Sequence, residues 1–287
     1  MNTDYTLILN YYNKTEELLN KQLDRVFSQS LPPKYIIGCF LGLPNEKSNF
    51  MKVWLDRTKN MNNVYTAYSD LNFKHIGRYQ VALSAPTEKI ITLDDDRFPK
   101  PDYCRAMVSI LHHENCLVQN YGWILDRSET YKYINRQPDF NEESSLVFKG
   151  IADMSGTYYS LKNHRDPGKP MLKKVDYLCG GMAFNRSSLK YLFAEDITDD
   201  IRLIGDDIAF CLRASKNGIP IYAYRPQDNV EGDRRSLEHD SAGINPTATG
   251  WRKILEASCV GIGIRAALPL TLAMFAPISK KRADQVE

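Results

Sequence analysis

Three consecutive carboxylates, Asp94-Asp95-Asp96, follow the apolar run Ile90-Ile91-Thr92-Leu93 in the stretch KIITLDDDRFPKPDY. Adjacent β-branched isoleucines favour extended backbone, so the run reads as a short buried strand. Acids crowded at the end of such a strand repel one another, and a neutralising cation is the simplest reason for placing them there. Carboxylate oxygens beside phosphate oxygens suit Mg²⁺ or Mn²⁺, hard ions that keep several waters and bind substrate phosphates. The plain alternative is a polar turn that caps the next helix, which does not need three acids in a row. A second acidic pair, Asp206-Asp207, follows Gly205 where a helical pattern begins. One of these two could cap that helix. The other, facing a cleft, suits general-base work on a hydroxyl. Metal plus base is a kit for moving a group from a nucleoside diphosphate to an alcohol, because the ion offsets charge growing on the departing phosphate.

Positioning these groups falls to an alternation of strands and helices. Tyr5–Asn10 and Tyr35–Leu41 read as strands, separated by a helix that Thr15, Glu16 and Glu17 open and Pro32-Pro33 stops. Helices are expected over 49–59 and 74–84, and strands over 63–68 and 89–93. Such alternation implies βαβ units, hence an α/β fold with a mostly parallel sheet flanked by helices. Ligands of such sheets lie at the carboxyl ends of the strands, where Asp94, Asp95 and Asp96 fall. Further on, 116–121 reads as a strand and 126–174 as a polar, irregular stretch expected to hold hairpins or a lid. Core-like sequence returns over 175–184 around Gly180-Gly181. A short helix over 186–193, a helix from Gly205-Asp206-Asp207 to Gly218 and a strand over 219–224 follow.

The 287 residues suit one large domain with an appendage, divided here as 1–230 and a C-terminal extension, 231–287. A formal net charge of +2 argues against nucleic acid as a partner. The six cysteines are scattered without a CxxC pair and read as reduced, buried small hydrophobes. Met1-Asn2-Thr3-Asp4 leads into no apolar core, so a cytoplasmic location is expected. Beyond Trp251 an apolar segment lies between Arg252-Lys253 and Lys280-Lys281-Arg282. Two readings stand for 251–287: an interfacial segment on the cytoplasmic membrane face, or a helix docked on the domain or on a second subunit.

Taken in order over roughly residues 5–225, the chain resembles GT-A glycosyltransferases of the family-2 type. LILNYYNK resembles the family's first-strand segment, and GRYQVALSA the helix before the central strand. TLDDDRFPKPDY resembles the DxD segment, and CGGMAFNRSSL with GDDIAFCLRASKNG the glycine-rich acceptor-side segment and the "ED" helix. The resemblance implies a Rossmann-like GT-A domain and metal-dependent, inverting transfer of a sugar. The donor would be a nucleoside diphosphate sugar, a UDP-sugar in particular, and the acceptor a hydroxyl of a glycan or lipid-linked molecule. It implies a Mn²⁺ or Mg²⁺ ion on Asp96 and Asp94, with Asp95 near the ribose or just outside the metal's own ligands. Arg78 would contact the nucleotide, Asn10 and Tyr12 would line the base pocket, and Asp207 would be the catalytic base with Asp206 beside it. Gly180-Gly181 would let backbone approach the donor sugar or acceptor.

The chain departs from the family where an acidic, serine-rich segment normally follows the second strand: here stands Cys39-Phe40-Leu41-Gly42. His239, in SLEHDSAG, is either a late metal ligand or a solvated surface histidine. No QxxRW segment occurs, which disfavours a processive polysaccharide synthase. The rivals are a GDD-type polymerase, disfavoured by the short and scarcely basic chain, and a nucleotidyltransferase, which would want glycines near the N-terminus. A catalytically inactive binding protein on the GT-A fold is the remaining alternative.

Overall fold

The apolar runs YTLILN and YIIGCFL flank an amphipathic helix, an order that forces a crossover and a parallel strand pair. The structure, a computed structural model, describes residues 2–12, 15–42, 48–73, 75–120, 122, 171–175, 178, 180–194, 206–225 and 237–239. In it β1 (Tyr5–Asn10) and β2 (Tyr35–Leu41) pair in parallel, joined through α1 (Glu16–Phe27). The Thr15 Oγ1 accepts the Leu18 N–H at 3.3 Å, and Glu16 and Glu17 occupy the first turn, where the helix dipole favours acids. Helix α2 (Ser48–Thr58) leads to β3 (Val64–Ser69), and α3 (Gly77–Leu83) leads to β4 (Lys89–Asp94). β4 pairs in parallel with β1 and β3 with β2, so the first four strands lie in the order β3-β2-β1-β4.

The second half completes an eight-stranded mixed sheet, mostly parallel and flanked by helices. Its elements are β5 (Arg97–Pro99), α4 (Tyr103–His113), β6 (Leu117–Gln119), β7 (Met171–Lys174) and β8 (Ala183–Asn185). A 3₁₀ turn at Arg186–Ser188 then runs into α5 (Leu189–Leu192), followed by α6 (Asp206–Lys216), β9 (Ile221–Arg225) and β10 (Leu237–His239). The sheet order is β3-β2-β1-β4-β8-β6-β9-β7. β8 is antiparallel to both β4 and β6, and β6 is parallel to β9. Two antiparallel steps restore direction, so the carboxyl ends of β1, β2, β3, β4, β6 and β9 share one edge.

Side chains alternate between the two faces, as a period of two requires. Leu7, Leu9, Phe40, Trp54 and Leu93 join the core under α1, α2 and α4. Ile8, Cys39, Ile90, Phe184 and Phe210 join the core under α3 and α6. Cys39, Cys104, Cys116 and Cys211 are buried thiols, and burial pushes the first three up to about 12.

Several boundaries differ from the sequence expectation. The helix expected over 74–84 is confined to Gly77–Leu83. The last parallel strand starts at Ile221 rather than 219, because Gly218 turns with φ +81° and Pro220 has no N–H to donate. β5 and β10 form a separate antiparallel pair, with His239 opposite Arg97 and Leu237 opposite Pro99. Three residues ending in proline carry no strand signal of their own. β10 belongs by sequence to the extension 231–287, yet it pairs beside the acidic turn. The tail from Trp251 and the stretch 126–170 lie outside the described residues. Among the described residues, no helix is long and apolar enough to cross a membrane.

Candidate active site

β4 delivers Asp94 as its last residue, and the chain turns through Asp95 and Asp96 into β5. Alternation along β4 puts Ile90 and Thr92 on the face of α3, so Asp94 faces α3 too. Helix α3 can come close because Gly77 lacks a side chain: a Cβ there would meet Leu41 Cδ1 at 2.5 Å and Phe73 Cβ at 3.0 Å. The next residue, Arg78, thereby reaches under the sheet edge and is only 1% exposed.

Arg78 binds carboxylates from both acidic segments. Its Nη1 donates to Asp94 Oδ1. Nε and Nη2 donate to Asp206 Oδ2 at 3.1 and 2.8 Å, and Nη2 also donates to Asp207 Oδ1 at 2.7 Å. Burial alone would lower the Arg78 pKa, but Asp206, Asp207 and Asp94 outweigh it and hold the guanidinium charged. The planar fork of arginine is what permits three carboxylates on one cation.

Asp207 is held on every side described. Besides Arg78, the Tyr79 hydroxyl donates to its Oδ1 at 2.6 Å, and the Gly180 N–H donates to its Oδ2 at 2.9 Å. Tyr79 is fully buried against Phe184 and Phe210, with ring centroids 5.8 and 5.3 Å away, which leaves its polar tip aimed at Asp207. Burial is the largest influence on Asp207 and pushes its pKa up to about 6. Arg78 and the Tyr79 hydrogen bond pull it down, while Asp206 and Asp94 push it up. A carboxylate has about four lone-pair sites, and donors among the described residues occupy three of them on Asp207.

The sequence expected a carboxylate of the Asp206-Asp207 pair to stand in a cleft; instead both are buried and bound to Arg78. Arg78, expected on the nucleotide, is committed to Asp94, Asp206 and Asp207. Asp95 Oδ2 accepts the Tyr12 N–H at 3.1 Å, which ties the turn to the end of β1. Asp96 Oδ1 lies 3.2 Å from Arg97 Nε. Asn10 sits opposite Asp94 in the β1–β4 register, and the Tyr12 ring is exposed beside it. The backbone of His239 lies opposite Arg97, one residue from Asp96. Among the described residues, no group of three or more His, Cys, Asp or Glu is arranged to hold a metal ion.

Sequence reasoning missed Tyr79 and the Gly180 N–H as partners of Asp207. Tyr79 follows Arg78 directly and lay within a segment already singled out. Gly180 and Gly181 both have positive φ, +82° and +102°. A Cβ at Gly181 would collide with the Thr92 carbonyl and stand 3.1 Å from Leu93 Cα, so this glycine lets the segment lie against β4. Gly181→Ala is expected to cost about 1–3 kcal/mol, measured as a lower urea midpoint; an unchanged midpoint would contradict the packing described. Compared with protein-family models and with curated proteins, the chain has no match.

Proposed function

We propose that the chain is a metal-dependent, inverting glycosyltransferase of the GT-A type, moving a sugar from a nucleoside diphosphate sugar to a hydroxyl. The observation that carries this reading is the meeting of two acidic segments on one guanidinium at the carboxyl edge of the sheet. That edge is where open α/β sheets bind ligands. A UDP-sugar is the donor tested first, and a glycan or lipid-linked alcohol is the acceptor class.

The donor set at the acidic turn is hard oxygen on adjacent residues, which fits Mn²⁺ or Mg²⁺ held by one or two carboxylates and substrate phosphates. Asp96 and Asp94 would hold the ion, with His239 at the neighbouring register position. When bound, such an ion offsets charge on a diphosphate leaving group. Asp207 would take the proton of the acceptor hydroxyl as that oxygen attacks the anomeric carbon and the bond to the diphosphate breaks. Arg78, Tyr79 and the Gly180 N–H fix its orientation, and a base on packed elements keeps its geometry. Asn10, Tyr12 and Asp95 would frame the nucleotide.

Incubation with nucleoside diphosphate sugars and Mn²⁺ tests the reading by release of nucleoside diphosphate. Asp96→Ala is expected to abolish release and the Mn²⁺-dependent part of nucleotide binding while leaving the melting temperature unchanged. Nucleotide affinity that is the same with and without EDTA would defeat the metal assignment. The burial of Asp207 and its engagement by three protein donors favour one second reading, a sugar-nucleotide-binding protein without turnover. Donor binding with no metal-dependent release would select it.

A further inference from the structure

We infer that Gln22 is a positioning residue for the acidic turn: its side-chain amide holds the carbonyls at both ends of Asp94-Asp95-Asp96-Arg97. The Gln22 Nε2 donates to the Asp94 carbonyl at 2.6 Å and to the Arg97 carbonyl at 2.8 Å, which uses both of its N–H groups. The span between those carbonyls sets where Asp95 and Asp96 stand. Gln22 is fully buried, in the α1 stripe formed with Leu19, Leu23 and Val26. Leu or Met would suit that stripe without the cost of burying an amide. Its Oε1 is buried and has no hydrogen-bond partner among the described residues, so its two donors are what tie it to the turn. Gln29, one heptad further on, shows the contrast. Its amide donates to the Pro99 and Lys100 carbonyls and accepts the Cys104 N–H, all beyond the turn. Of these two buried amides, one in α1 and one just past its end, it is Gln22 that holds the acidic segment.

The role in metal binding rests on the glycosyltransferase reading; the role in holding the turn does not, and the test separates them. Gln22→Met keeps the length and removes both donors. Gln22→Glu keeps the shape, should the first variant fold poorly, and turns an acceptor toward the two carbonyls. Gln29→Met is the comparison. In the metal-free protein, NMR order parameters at Asp95 and Asp96 are expected to fall from the rigid range near about 0.85 toward the flexible range below about 0.6 in both Gln22 variants. Those of β4 and those of Gln29→Met are expected to stay in the rigid range. Titration with Mn²⁺, alone and with UDP, is expected to show affinity reduced about 10- to 100-fold in the Gln22 variants and unchanged in Gln29→Met. Unchanged order parameters in Gln22→Met and Gln22→Glu, or an equal loss in Gln29→Met, would overturn the assignment. A wild-type protein that binds no Mn²⁺ under either condition would overturn the metal reading, and the order parameters alone would then decide the role of Gln22.

Discussion

Arg78→Met is expected to lower the unfolding free energy by about 3–5 kcal/mol, read as a lower urea midpoint at pH 7 and above. Methionine keeps the apolar stem, so packing along the side chain largely survives and the loss reports the charge. What remains is Asp94, Asp206 and Asp207 crowded beneath the sheet edge without their cation. Arg78 is what pulls the buried Asp207 down, so without it the folded pKa of Asp207, already raised by burial, rises further in the variant. A raised carboxylate pKa means the folded state binds more protons, and stability then increases as pH falls through the folded pKa. The deficit of Arg78→Met is therefore expected to be largest near neutral pH and to shrink in mild acid. Arg78→Lys, a point charge without the planar fork, is expected to recover part of the loss. Wild-type stability in Arg78→Met, or a deficit that grows in acid, would show that the cluster is not held by this charge.

Asp207→Asn is expected to reduce sugar transfer by about 10²-fold or more while donor binding stays near normal. The geometry adds a second effect. An asparagine presents one oxygen and one NH₂ where the carboxylate presented two acceptors. If its oxygen keeps Arg78 and Tyr79, its NH₂ faces the buried Gly180 N–H, donor against donor. The unpaired amide is expected to cost about 1–3 kcal/mol of stability, so a drop in melting temperature accompanies the loss of turnover. The two effects separate at a temperature where the variant is folded, since a purely structural role restores turnover there and a base does not. With its pKa pushed up to about 6, Asp207 is ionised near pH 7 and protonated in acid. A base must be ionised, so kcat/KM in the wild type is expected to fall as pH drops through about 6, and the variant is expected to lack that limb. Retained turnover in Asp207→Asn, or a product with the donor's anomeric configuration, would exclude the role.

The first half of the fold was legible in the sequence because its signals are local. YTLILN and YIIGCFL are apolar runs closed by turn residues, and the structure puts β1 and β2 on those residues. The stripe Leu19, Leu23, Val26 with its Thr15 cap marks α1 in the same way. Once those strands alternate with helices, parallel pairing follows, and Asp94 must fall at a carboxyl end. What one segment cannot encode is its distant partner. Arg78 and Asp206 are 128 positions apart, and each is compatible with an exposed helix terminus until α3 and α6 pack on the same face. The antiparallel insertion of β8 between β4 and β6 belongs with these, as does the pairing of β10 with β5, because backbone pairing is indifferent to side-chain identity in three-residue strands. Asp207 is the sharpest case. Its residue type and helix-start position were plain from the chain, but an open cleft and a buried ionic lock demand the same letters. Only the tertiary structure, by lodging Arg78, Tyr79 and the Gly180 amide around it, decided which environment the carboxylate has.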